Sequence, residues 1–60
     1  MTFERFKEIF AELGITDERI VRMHWIITQA HMNTSELRED KLRWSIRKFI
    51  LGQKDVGKCP

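Results

Sequence analysis

The sequence predicts an all-α protein: a small bundle of three helices, completed by homodimerisation. Apolar residues recur at three- and four-residue steps in three successive segments, and no segment alternates as a strand does. Residue types that start and stop helices bound each segment. Self-association follows from size and from one unusual helix. A chain of 60 residues buries only about 60% of the surface its unfolded form exposes, so a lone core is marginal.

The first helix is expected over about residues 3–13, within "TFERFKEIFAELG". Phe3, Phe6, Ile9, Phe10 and Leu13 share one face. Thr2 can accept a bond from an orphan backbone N–H at the start. Gly14 suits the left-handed residue that closes a helix, with Ile15 packing back on the last turn.

The second helix is expected over about 17–32 and at the centre of the bundle. Thr16 caps it, and Asp17 and Glu18 favour its N-terminal dipole. Ile20, Met23, Ile26, Ile27 and Ala30 form one broad apolar arc, bordered by Arg19. Val21, Trp25 and Met32 form a second stripe, and His24, Thr28 and His31 lie between the two. Two neighbours from one short chain can hardly cover a helix this apolar, which makes Val21, Trp25 and Met32 candidate self-association residues.

The third helix is expected over about 35–51. In "NTSE", Asn33 can cap and Glu36 can reach back, as in a capping box. Leu42, Ser45, Ile46, Phe49 and Ile50 follow the pattern of a core face, and Gly52 stops the helix. On roughly the opposite side Leu37, Trp44 and Leu51 repeat every seven residues, bordered by Lys41, Arg47 and Lys48. Residues 1–52 thus read as a single helical domain, and 53–60 as a flexible C-terminal tail.

The formal net charge is +2, unevenly spread. Residues 1–35 hold four Lys/Arg against five Asp/Glu, and residues 36–60 hold seven against four. An acidic partner is therefore drawn to the C-terminal half. The single cysteine, Cys59, cannot form an internal disulfide, and a lone thiol near the end fits a reducing, cytoplasmic setting. No run approaches the roughly 20 apolar residues that span a membrane.

Chemistry finds little foothold. His24 and His31 share a face but stand about 10 Å apart along a helix. One metal ion with bonds of about 2 Å cannot bridge them, so no metal and no cofactor are expected. The Ser and Thr residues sit mostly at helix starts, no glycine-rich phosphate loop exists, and Asp17/Glu18 and Glu39/Asp40 read as solvated helix charges. The expectation is a protein that is not an enzyme and has no catalytic residues.

"FKEIFAELGITDERIVRM", residues 6–23, resembles a helix-turn-helix: Leu13, Gly14 and Ile15 fall at its turn, and Ile20 and Met23 where its second helix packs inward. The resemblance covers about a third of the chain and implies DNA binding. Bulky Phe10 stands where the motif wants a small residue, with Ala11 one place late. Thr16, Asp17 and Glu18 open the would-be recognition helix, where acids repel phosphate. A second nucleic-acid mode would use the third helix through Arg38, Arg43, Arg47 and Lys48, with Lys41 beside them and Trp44 for stacking.

The reading preferred on sequence is a protein-interaction module: a small regulator, inhibitor or adaptor, of the kind phages and mobile elements carry. Leu37, Trp44 and Leu51 would be its desolvated anchors, because Trp and Arg lead in interface energetics. Lys41, Arg47 and Lys48 would steer an acidic partner.

Overall fold

The structure, a computed structural model, describes residues 1–60. It is all-helical, with α1 over Phe3–Glu12, α2 over Glu18–His31 and α3 over Glu39–Ser45. A single 3-10 turn, Thr34–Glu36, precedes α3, and a π-helical turn, Ile46–Ile50, continues it.

Helix α1 forms as its sequence dictates. The Thr2 hydroxyl accepts from the Arg5 N–H at 3.3 Å. At the other end the Gly14 N–H donates to the Ala11 carbonyl (3.0 Å) and the Ile15 N–H to the Phe10 carbonyl (2.9 Å). That pair of bonds is a Schellman motif, and the positive φ of Gly14, 91°, makes it possible. Helix α2 begins one residue later than expected. Asp17, not Thr16, is the N-cap, its carboxylate accepting from the Arg19 N–H at 3.0 Å.

The core consists of Phe6, Ile9, Phe10, Val21, Leu42 and Ile46. Three of these six side chains come from α1, which packs against both α2 and α3. The central helix is therefore α1 and not the second helix. Only α1 is amphipathic with a single large-residue face, so it alone has one way to be buried. The molecule is not loose. Its radius of gyration is 10.9 Å, against about 10.4 Å for a compact chain of this length. Its accessible surface is 4327 Å², against about 4,200 Å² for a monomer of this mass.

Three expectations change. On α2 the inward stripe is Val21, Trp25 and Met32: Val21 is fully buried, Trp25 packs edge-on against Phe3 and Phe6 at 5.7 and 5.0 Å, and Met32 is half-buried. Val21 and Trp25 build the fold itself, and the broad arc of Ile20, Met23, Ile26, Ile27 and Ala30 faces out. The aromatic rings explain the choice. Trp25 fills the space over Phe3 and Phe6 with edge-to-face contacts that no isoleucine can make.

Next, the third helix starts at Glu39 instead of residue 35. Asn33 does cap, accepting from the Ser35 N–H at 3.1 Å, but the turn ends at Leu37, where the backbone extends (ψ 122°). Glu39 is held instead by Arg5, whose Nε and Nη2 donate to its two carboxylate oxygens at 2.9 and 2.7 Å. Finally, Phe49 leaves the core face and is 71% exposed. The i→i+5 turn, seen in the Leu51 N–H to Ile46 carbonyl bond (2.9 Å), shifts the register after Ile46 and carries Phe49 outward.

An ionic clamp joins α1 to α3. Besides the fork of Arg5 on Glu39, Arg43 reaches Glu12 at 3.1 Å and Glu39 at 3.5 Å. The hydrogen bond from Arg5 holds the Glu39 carboxyl below the usual carboxylate range and raises Arg5 itself, burial opposing both shifts. The N-terminal ammonium donates to the Thr34 carbonyl at 2.8 Å, fastening the chain start beside the connection into α3.

Candidate functional site

Each residue named from the sequence for partner binding has a definite place. Trp44 is half-buried on α3. Its indole N–H donates to the Gly57 carbonyl at 3.1 Å, and its ring meets Phe49 edge-on at 5.7 Å. The Lys48 ammonium lies 4.9 Å from the Trp44 ring centre and 5.8 Å from that of Phe49. Such a cation contributes about 0.5–1 kcal/mol at an exposed site. Trp44, Lys48 and Phe49 are thus one cluster, with Arg47 and Lys41 exposed nearby on the same helix.

Leu37 is not part of it. With its backbone extended ahead of α3, it packs against the core. The seven-residue repeat of Leu37, Trp44 and Leu51 is therefore not a helix face, because a repeat has meaning only along a continuous helix. Leu51 is exposed just after the π-helical turn.

Residues 53–60 contain no regular element but double back along α3. Gly52, at a positive φ of 71°, makes the reversal. Between tail and helix lies an open cleft of about 490 Å³, lined among others by Asp40, Trp44, Arg47 and Lys58.

Two of the cations named for nucleic-acid contact are engaged with carboxylates. Arg38 pairs with Asp40 at 3.2 Å, and Arg43 joins Glu12 and Glu39. Arg47 and Lys48 have no carboxylate partner. His24 stacks on Phe10 at 5.6 Å, His31 is exposed, and no three His, Cys, Asp or Glu side chains group as a metal site would.

The surface the sequence did not single out is the outward face of α2. Ile20 is 40% exposed, Met23 50%, Ile26 65% and Ile27 46%. At about 100° per residue this stripe lies diametrically opposite Val21 and Met32. Ile20, Met23, Ile27 and Ala30 fall at i, i+3, i+7 and i+10, the spacing of a coiled-coil seam. On one flank Ile26 adjoins a shallow apolar depression shared with Phe3, Arg22 and Trp25. On the other, His24 and Thr28 border a groove of about 270 Å³ whose far wall is Leu42, Ser45, Ile46, Phe49 and Ile50. The signal was present in the seam spacing. That spacing alone does not mark an outer face, because the same residues also make an acceptable core face.

No protein-family model matches the chain, and no curated protein or solved structure is significantly similar to it. No helix is long and apolar enough to cross a membrane.

Proposed function

We propose that the protein is a non-enzymatic helical interaction module that works by laying apolar surface against another protein. Its class is that of a small regulator, inhibitor or adaptor, of the kind phages and mobile elements carry, and its bundle is completed as a homodimer. One observation carries this reading. Ile20, Met23, Ile26, Ile27, Phe49 and Ile50 all stand exposed on a chain with the accessible area of a well-packed monomer. Exposed large apolar side chains gathered on one helix face and an adjoining groove wall are what binding surfaces look like.

The Trp44, Lys48 and Phe49 cluster, with Lys41 and Arg47, supplies the polar, cationic side of the module and suits an acidic protein partner. A nucleic-acid regulator is the weaker reading. Of the four cations it would use, Arg38 and Arg43 already face carboxylates. The single exposed thiol of Cys59 fits a reducing, cytoplasmic setting.

The test joins sedimentation equilibrium with binding of the apolar dye anilinonaphthalene sulfonate. An interaction module either assembles, covering its apolar face, or stays monomeric and binds the dye. A wild type that is both monomeric and dye-silent refutes the reading. So does salt-sensitive retardation of DNA or RNA in a gel, which would favour the regulator.

A further inference from the structure

We infer that the occupant of the α2 face is a second copy of this chain, held α2 against α2 in antiparallel orientation about a two-fold axis that crosses the seam at the level of position 25. The inference rests on the interaction-module reading and names its partner.

Self-complementarity is the first ground. A two-fold interface must present the same patch to itself. Reflected about position 25, the seam pairs Ile20 with Ala30 and Met23 with Ile27, each pair occurring twice. Antiparallel pairing therefore sets a large side chain against a small one at both ends and two of similar volume at the centre. Parallel pairing would stack Ala30 on Ala30 and leave a void at one end, while crowding Ile20 on Ile20 at the other. Large-against-small layers fill space best, and the small Ala30 lets the helices approach. Antiparallel helices also bring each positive N-terminal end beside a negative C-terminal one.

Area is the second ground. A stable dimer buries about 600–1,000 Å² per copy, a modest share of the 4327 Å² this chain exposes. Residues 20 to 30 span about 15 Å of helix, too short for a seam alone to supply that area. The contact therefore has to extend onto the apolar surface beside the seam. On one flank Ile26 continues into the depression at Phe3 and Trp25. On the other the seam leads past His24 to the groove walled by Phe49 and Ile50. No carboxylate lies within the stripe, so two copies bring no acidic repulsion or unpaired acid into the contact. Phe49 then links the dimer contact to Trp44 and Lys48, which line neither flank of the seam.

Cross-linking in a Cys59→Ser background tests this. In an antiparallel dimer the pair Ile20→Cys and Ala30→Cys, carried on one chain, is joined between copies by a short bis-maleimide. Ala30→Cys alone is not, because each copy of position 30 lies about 15 Å along the axis from its mate. Sedimentation equilibrium of the wild type, from about 5 to about 500 µM, brackets a micromolar Kd. Ile27→Asp should raise that Kd about a hundredfold or more, since each copy would bring a carboxylate into an apolar contact.

Efficient cross-linking of Ala30→Cys alone overturns the antiparallel arrangement. A dimer that survives Ile27→Asp but dissociates on Trp44→Glu overturns the α2 face. A monomeric wild type that binds the apolar dye overturns the second copy as occupant, and the homodimer with it, and leaves standing a module that lays its apolar face against a different protein. A monomer that is also dye-silent brings down both.

Discussion

Ile9 and Ile26 are the same residue type on two helices, one at 0% exposure and the other at 65%. Truncating each to alanine separates core from interface. Ile9→Ala removes a fully buried side chain from the central helix. Such truncations cost about 2–5 kcal/mol, the spread reflecting how far the site collapses. A domain of 60 residues has a total stability of about 3–9 kcal/mol. The loss is thus a large fraction of the whole, and at about 4–8 °C per kcal/mol it lowers Tm by at least about 8 °C. For Ile26→Ala, roughly a third of the side chain is out of water, so about 0.5–1 kcal/mol of burial is lost. The better helix propensity of alanine returns a few tenths of that.

The assay is thermal unfolding by far-UV circular dichroism, with both variants and wild type run over a hundredfold range of protein concentration. Ile9→Ala should destabilise equally at every concentration. Ile26→Ala should be nearly silent at the dilute end and lose ground to wild type as concentration rises, since wild type gains more from assembly. Equal destabilisation by the two variants, independent of concentration, would mean that Ile26 is core. The outward orientation of the α2 stripe would then be wrong.

Other consequences are simpler to measure. Because Arg5 holds the Glu39 carboxyl below its ordinary value of 4.5, the unfolded chain takes up that proton first as pH falls. The ion pair therefore stabilises fully above the ordinary value and its contribution disappears as pH drops through the lowered one. Tm should fall on acidification from about pH 7 to about pH 3, and Glu39→Gln should show a smaller fall; identical pH profiles would refute a role for this pair. Gly14→Ala meets no atom within 4 Å, so its cost is the left-handed backbone alone, about 1–2 kcal/mol, read as a shift in urea midpoint with unchanged m-value. Trp44→Phe keeps an aromatic ring but removes the bond to Gly57. Trypsin cleavage at Lys54 and Lys58 should accelerate, and unchanged rates would show that this bond does not hold the tail.

What could be read from the chain is what short-range physics decides. The helical class, the boundaries of α1, the closure at Gly14 and Ile15, and the burial of Phe6, Ile9 and Phe10 follow from periodicity and capping. Each involves residues within one or two turns of each other, so a linear pattern contains the whole cause. Leu42 and Ile46 have the four-residue spacing of a core face and are buried as that spacing implies.

Three features were not decided by helical periodicity. Helix α2 offers two apolar stripes of similar merit, and Trp25 against Phe3 and Phe6 turned Val21 inward and left Ile20, Met23 and Ile27 for the surface. The seven-residue repeat through Leu37 is broken because Arg5 grips Glu39 from 34 residues away and Leu37 joins the core. The π-helical turn aims Phe49 outward beside Trp44, where periodicity alone would have buried it. A sequence states how apolar each face of a helix is. Which face is covered depends on the shape and charge of whatever packs against it, and that exists only in the folded molecule.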